Sequence, residues 1–403
     1  DLTFTHNGKV FKRIPEVFDC WFESGSVPYA QNHFPFENEE VTLNNFPADF
    51  IAEGIDQTRA WFYTLTILSV ALFDQPAFKN VIVNVIILAE DGMKMSKRLK
   101  NYPEPLAVVN KFGADSVRLY LLSSPAVNAD DLRFSARGVE LVMRQALIPL
   151  WNCYVFLATY AKIYDFKPKE VKKSPAADID KWILSELQAL TQKVDTSMQA
   201  YELHAAVSPL IGFIDQLTDW YIRRSRGRFW QDEATQDREE AFQTLYHVLV
   251  TLCKVMAPFT PFISDAIYSH LRGKNDPVSV HLCKFPEAGH RDKQLEEEMA
   301  LVQQVVSLGH ALRKENKLKV RQPLSCAHLI CSDEKSLAAL KKQQDLVADE
   351  LNVKTVQLHS DETRFVKLKA KPNFRILGKK VGKLMNATQA VVQKLPLTSL
   401  KKL

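Results

Sequence analysis

The run Val81-Ile82-Val83-Asn84-Val85-Ile86-Ile87-Leu88 constrains the fold more than any other stretch. It is short, β-branched and almost wholly apolar, the composition of a strand buried in a parallel sheet. An α/β fold is therefore expected around it. The turn former Asp91-Gly92 ends the run, and Lys94-Met95-Ser96-Lys97-Arg98 follows, a loop with two lysines three residues apart. Asn101-Tyr102-Pro103 then stops the loop from turning helical too early. Open α/β sheets hold ligands outside the carboxyl ends of their strands, where this loop would sit. Paired cations on an adaptable loop suit a polyphosphate, because lysines act as point charges that can follow shifting charge. A solvated charged face is the alternative.

Residues 49–72 predict strand, turn and helix. Asp49-Phe50-Ile51-Ala52 is the strand and Glu53-Gly54 the turn, and Asp56 opens a helix running to about Leu72. Trp61, Leu65, Leu68 and Leu72 would form one apolar stripe against the sheet. Glu53, Gly54, Asp56 and Gln57 cluster at the helix mouth; carboxylates there suit ribose hydroxyls, and for Asp56 a plain N-cap is the competing reading. Upstream, the aromatics and carboxylates of Val17–Ser26 surround a Ser24-Gly25-Ser26 turn in a loop-rich region. Trp21 there is either a pocket wall or part of a small aromatic core.

From about Arg137 to Leu271 the apolar spacing is helical, with segments near 137–163, 178–199, 203–230, 238–256 and 260–271. Short connections predict an antiparallel bundle. One helix ends in Trp220-Tyr221-Ile222-Arg223-Arg224-Ser225-Arg226-Gly227-Arg228-Phe229-Trp230. Four arginines among aromatics suit RNA, since guanidinium planes and rings meet phosphates and unpaired bases. The competing reading is a helix end whose cations answer the dipole while the rings fill the core.

Residues 291–403 change to an α+β pattern: an acidic-starting helix to about Lys314, strands at 326–331, 353–358 and 364–371, and helices at 333–348 and 378–395. From Arg364 to Leu403 there are eleven Lys and Arg and no acid, so the chain's net +5 leaves everything before net acidic. This run, which includes Lys379, Lys380 and Lys383, is a candidate phosphate-backbone surface. Six cysteines without disulfide spacing favour a reducing, cytoplasmic setting. Cys326, His328 and Cys331 read as part of a strand rather than a zinc site, and no structural zinc is expected. No apolar run reaches the roughly 18 residues of a membrane span, so a membrane partner is not expected. The start, Asp1-Leu2-Thr3, reads as a cut inside a longer protein.

Lys94-Met95-Ser96-Lys97-Arg98 resembles the KMSKS signature loop of class I aminoacyl-tRNA synthetases, with Arg98 in place of the last Ser. Together with Asp19-Cys20-Trp21-Phe22-Glu23-Ser24-Gly25 and Ala52-Glu53-Gly54-Ile55-Asp56-Gln57-Thr58-Arg59-Ala60-Trp61-Phe62, it is similar to the isoleucyl-tRNA synthetase family, in its eukaryotic-cytosolic-like branch. Ala60 departs from the Gly usual there. The second class signature, His-x-Gly-His, and the editing domain are missing from this stretch.

The resemblance implies an α/β plus all-α chain. Residues 1–136 would be the C-terminal half of a Rossmann-type nucleotide-binding fold, 137–290 a helical-bundle anticodon-binding domain, and 291–403 a small basic α+β domain. Lys94 and Lys97 would be catalytic. Glu53, Gly54, Asp56, Gln57 and Ser96 with the two lysines would bind ATP and adenylate, and Trp21, Trp61 and Gln57 would line the isoleucine pocket. Arg223, Arg224, Arg226, Arg228, Trp230, Lys379, Lys380 and Lys383 would bind tRNA. ATP with Mg²⁺, L-isoleucine and tRNA(Ile) are the implied partners, in a monomer. A non-catalytic RNA-binding module is the rival reading.

Overall fold

A computed structural model describes residues 2–169, 175–231, 233, 235–361 and 373–393. The chain divides into two compact units, Asp1–Arg291 and Asp292–Leu403.

The first unit opens with a hairpin, β1 (Thr3–His6) and β2 (Lys9–Lys12), in a region expected to be loop-rich. Next come α1 (Cys20–Ala30) and α2 (Glu39–Asn44). Ser24-Gly25-Ser26 is thus helical, not a turn. Asp19 caps α1 by accepting from the amides of Trp21 and Phe22. Gly25 is there for closeness: a Cβ on it would lie 3.0 Å from Thr64 Cβ and 3.1 Å from Leu68 Cδ1.

Those partners belong to α3 (Trp61–Phe73), which follows β3 (Ile51–Gly54). β4 (Val81–Asn84) pairs with β3 in parallel, Ile51 opposite Val81 and Gly54 opposite Asn84. The parallel pairing agrees with the sequence, but the strand ends at Asn84 and Val81 is exposed. On α3 the buried positions are Phe62, Leu65 and Ser69. The inward stripe is therefore rotated from the expected one, and Leu72 faces outward.

Helices α4 (Pro105–Phe112) and α5 (Ala114–Leu122) come after the lysine loop. Glu104 caps α4 by accepting from the Ala107 amide. Val108, Phe112 and Val139 form a local core with Val117, Tyr120, Phe134 and Met143 around it.

The bundle follows the expected segments closely. A continuous helical run, Ala136–Ile163, is α6 (Ala136–Val142), a π-helical Met143–Leu147 and α7 (Ile148–Ile163). By length and composition this run could cross a membrane; here Leu150, Cys153 and Leu157 are buried inside the unit. α8 spans Asp178–Gln199. A second continuous run joins α9 (Leu203–Asp215), a π-helical Gln216–Ile222 and α10 (Arg223–Phe229). α11 (Gln236–Met256) and α12 (Pro261–Leu271) complete it. Trp182, Leu187, Leu210, Ile214, Leu245 and Leu249 are fully buried, so the bundle core is drawn from α8, α9 and α11 together.

In the second unit, α13 (Lys293–Glu315) precedes β5 (Leu324–Ile330), α14 (Glu334–Lys342), α15 (Gln344–Leu351) and β6 (Val353–His359). β5 and β6 pair in parallel across the α14–α15 crossover. Gln343 breaks the expected single helix of 333–348 into two. α16 (Phe374–Val381), a 3₁₀ turn at Gly382–Leu384 and α17 (Met385–Gln393) are the last described elements. The expected strand at 364–371 and the end of the basic helix past residue 393 lie outside the described residues.

Candidate functional site

The carboxyl ends of β3 and β4 bring Glu53, Gly54 and Asn84 side by side. Beyond Gly54 the chain makes one 3₁₀ turn, Ile55–Arg59, before α3 begins. That turn moves the helix start away from Asp56, so Asp56 is not the cap expected from the sequence. Gln57 does that work: its Oε1 accepts from the Trp61 amide at 3.1 Å. Asp56 Oδ2 accepts from Gln57 Nε2 at 3.3 Å, while its Oδ1 fills the space beside Gly54. Both Glu53 and Asp56 are exposed at the strand end, available to hydroxyl donors. Trp61 Nε1 donates to Ser24 O at 2.9 Å, which docks α3 onto α1 one turn from Trp21. The two tryptophans thus come from adjacent helix starts. Their rings are not stacked on each other.

The lysine loop is shaped by its backbone and by one amide. Leu88 is held between Leu132 O and the Phe134 amide, each at 2.9 Å. From there a tight turn forms, with the Ala89 amide on Met93 O and the Met93 amide on Asp91 Oδ1, both 2.9 Å. Gly92 sits at φ +83°, and a Cβ on it would stand 3.1–3.3 Å from the Arg133 guanidinium. A side chain is excluded there twice, by backbone conformation and by Arg133. Farther along, Asn101 closes the loop: Oδ1 accepts from the Ser96 amide at 2.9 Å and Nδ2 donates to Lys94 O at 3.2 Å. Lys94 and Lys97 are exposed, and among the described residues neither has a carboxylate partner. Their charge is therefore uncommitted, while the chain that carries them is ordered.

Sequence reasoning read Asn101 as a helix stopper and did not single out Arg133. An Asn just past a loop is too common to mark a clamp, and Arg133 is distant in sequence.

Two side chains of α5 grip the bundle. Asp115, buried, accepts from the amides of Phe262 and Ile263 at 3.3 and 2.7 Å, covering the start of α12. Arg118 donates to Phe259 O at 3.2 Å and Pro258 O at 2.9 Å. Unpaired amides at the start of α12 meet a carboxylate, and carbonyls of the connection just before it meet a guanidinium.

The arginine segment divides. Arg228 is a correction to the RNA-binding set: its side chain is 14% exposed and forks onto Asp180, which is fully buried, at 2.9 and 2.7 Å. Its Nε also donates to both oxygens of Asp237, at 2.9 and 3.0 Å. Burial opposes its charge, but the bonds to Asp180 and Asp237 outweigh it and hold the guanidinium pKa above its ordinary value. Tyr221 donates to the same Asp180 at 2.8 Å, and burial followed by the Asp180 charge pushes its phenol pKa well up. This triad is a buried, satisfied network. Arg223 donates to Asp219 O at 2.6 Å and lies 5.9 Å over the Trp220 ring. Arg224 is half-buried. Arg226 and Trp230, four residues apart and so on one helix face, are exposed, Trp230 by half. The side chains of Lys379, Lys380 and Lys383 lie outside what the structure describes.

Residues 2–134 match the tRNA synthetases class I (I, L, M and V) family, and residues 180–328 match the anticodon-binding domain of tRNA ligase. The chain is 61% identical over 395 residues to an isoleucine–tRNA ligase of Protochlamydia amoebophila, covering 98% of this chain and 38% of that protein. It is 54% identical over 407 residues to one of Chlamydia pneumoniae, covering 100% and 39%. The chain thus spans about two fifths of the length of these curated relatives. They are bacterial and lend the eukaryotic-cytosolic-like branch no support. Among solved structures, an Agrobacterium radiobacter LeuRS in ternary complex with tRNA and LeuAMS shares the fold at TM-score 0.56 and 20% identity, over 73% of this chain and 35% of that one. The fold class read from the sequence agrees with these matches: an α/β segment followed by a helical bundle.

Proposed function

We propose, on the premise that this chain belongs to the class I tRNA synthetases, that it is part of an isoleucine–tRNA ligase, which activates L-isoleucine with ATP and transfers it to tRNA(Ile). Residues 1–136 would then be the later part of the catalytic fold, 137–290 the anticodon-binding bundle and 291–403 a basic α+β junction. The setting would be cytoplasmic and monomeric, with no membrane partner, and by itself this stretch is not expected to aminoacylate.

In this reading the substrate carboxylate attacks the α-phosphate of ATP·Mg²⁺ and pyrophosphate leaves. Lys94 and Lys97 meet the negative charge that gathers on the phosphates. Ser96, locked by Asn101, fixes the loop between them. Glu53 and Asp56 take the ribose hydroxyls, Gly54 lets the adenylate approach the backbone, and Gln57 joins Trp21 and Trp61 around the isoleucine side chain. A branched aliphatic needs such an apolar slot, although a slot alone separates amino acids one methylene apart only modestly. In the bundle, Arg223, Arg224, Arg226 and Trp230 face the unpaired anticodon bases, and Arg228 holds the helix end that presents them.

The observation that carries the proposal is the lysine loop: ordered by Asn101 and its own backbone, its two lysines without a carboxylate partner among the described residues, it follows the carboxyl end of a parallel strand pair. Lys97→Ala in the full-length protein should lower ATP–pyrophosphate exchange by about 10²–10³-fold, the usual cost of one group aimed at transition-state charge. Affinity for tRNA should stay as it was. Equal losses in both would sink the assignment.

A further inference from the structure

Among the described residues of the second unit, one buried arginine has no acid beside it. Arg313, at the end of α13, is 4% exposed. Its Nη1 donates to Lys319 O at 3.2 Å and Gln322 O at 3.0 Å. Its Nη2 donates to Leu351 O at 2.6 Å and Asn352 O at 3.1 Å. Four carbonyls replace its water, and no carboxylate pairs with it among the described residues. Burying a charge is costly unless it is paired or fully hydrogen-bonded, so this site is kept for what it holds.

It holds a loop. The Leu318 amide returns to Arg313 O at 2.8 Å, the Gln322 amide to Lys319 O at 3.0 Å, and Asn352 Nδ2 donates to Val320 O at 2.8 Å. With the carbonyls of 319, 320 and 322 all drawn inward, the side chains of Lys317, Lys319 and Arg321 are left exposed. Lys314 is exposed one turn before. None of these four forms an ion pair among the described residues, and Glu315 is the single acid from 313 to 322. Most charge runs dissolve into solvent as loose side chains. This one stands on a backbone fixed at several points, with a fifth positive charge buried beneath it.

We propose that residues 314–322 form a phosphate-contacting surface for RNA, shaped in advance by Arg313. The proposal rests on the reading that the protein binds tRNA and adds a sequence-independent contact outside the anticodon bundle. A fixed array of uncompensated cations gains affinity by releasing counterions from the phosphate backbone, and it loses little entropy because the loop is already ordered.

The test is tRNA binding by this chain across a salt series. The triple variant Lys317→Gln, Lys319→Gln, Arg321→Gln should reduce the slope of log affinity against log salt by about one per residue, for cognate and non-cognate tRNA alike. A charge-matched control, Lys274→Gln, Lys284→Gln, Lys354→Gln, should keep the wild-type slope. Arg313→Lys keeps every charge but cannot fork onto four carbonyls, so it should weaken binding although the three loop cations remain. If the first triple binds as wild type does, or both triples change alike, the loop assignment falls alone. If Arg313→Lys binds as wild type does, the advance shaping by Arg313 falls. If the wild-type chain retains no tRNA, the underlying reading falls with it.

Discussion

Arg228 and Lys97 are both cations in motifs rich in positive charge, yet they sit in opposite circumstances. Arg228 is clamped between two aspartates, one fully buried, and shares that aspartate with Tyr221. Lys97 rides on a loop held by backbone bonds, Asp91 and Asn101, and it has no acidic partner among the described residues. The difference teaches where to look for function in a basic sequence. A cation already answered by a carboxylate is part of the fold; one on an ordered backbone with its charge unanswered is free to meet a ligand.

The largest test of this contrast is Asp180→Ala. It would leave Arg228 with Asp237 alone and take away the shorter of Tyr221's two hydrogen bonds, so unfolding free energy measured in urea should fall by about 3 kcal/mol. A small loss there would break the contrast, because Arg228 would then be no more structural than Lys97. Next is Gly92→Ala, which places a Cβ at positive φ against Arg133. A local cost of about 1–3 kcal/mol is expected. Faster hydrogen exchange should be confined to residues near 88–101, with the bundle unchanged; spread into the bundle would show that the loop is not a separate element. The smallest effect belongs to Lys97→Ala itself, whose stability should stay within about 0.5 kcal/mol of wild type. A larger drop in the denaturation midpoint would mean that Lys97 has a structural partner after all.

Much of this was legible in the sequence, and unevenly so. Helical spacing located the bundle segments to within about two residues, because long amphipathic helices repeat their signal many times. The parallel strand was readable in kind but not in extent: Val85–Leu88 has strand composition, yet only Val81–Asn84 finds a partner. Ser24-Gly25-Ser26 looked like a turn since nothing local says that Gly25 must let Thr64 approach. The cap at Gln57 was hidden by a 3₁₀ turn that spacing rules do not foresee. For Arg228 the choice between RNA contact and structural cation stayed open for a plainer reason: its main partner, Asp180, lies forty-eight residues away. Local pattern reports how a segment wants to fold, and long-range pairing decides which of its charges are spent.

The π-helical stretch at Gln216–Ile222 has an evolutionary corollary. A π turn accommodates one residue more than an α turn, and each residue of a helix rotates the next by about 100°. Everything after Ile222 is therefore phased by a surplus residue. Deleting any one position within 216–222 would restore an unbroken α-helix and swing Arg228 off Asp180, carrying Arg226 and Trp230 to a different azimuth. Point substitutions in this helix can drift one at a time, but its length cannot: the segment is a vernier whose setting is the residue count itself.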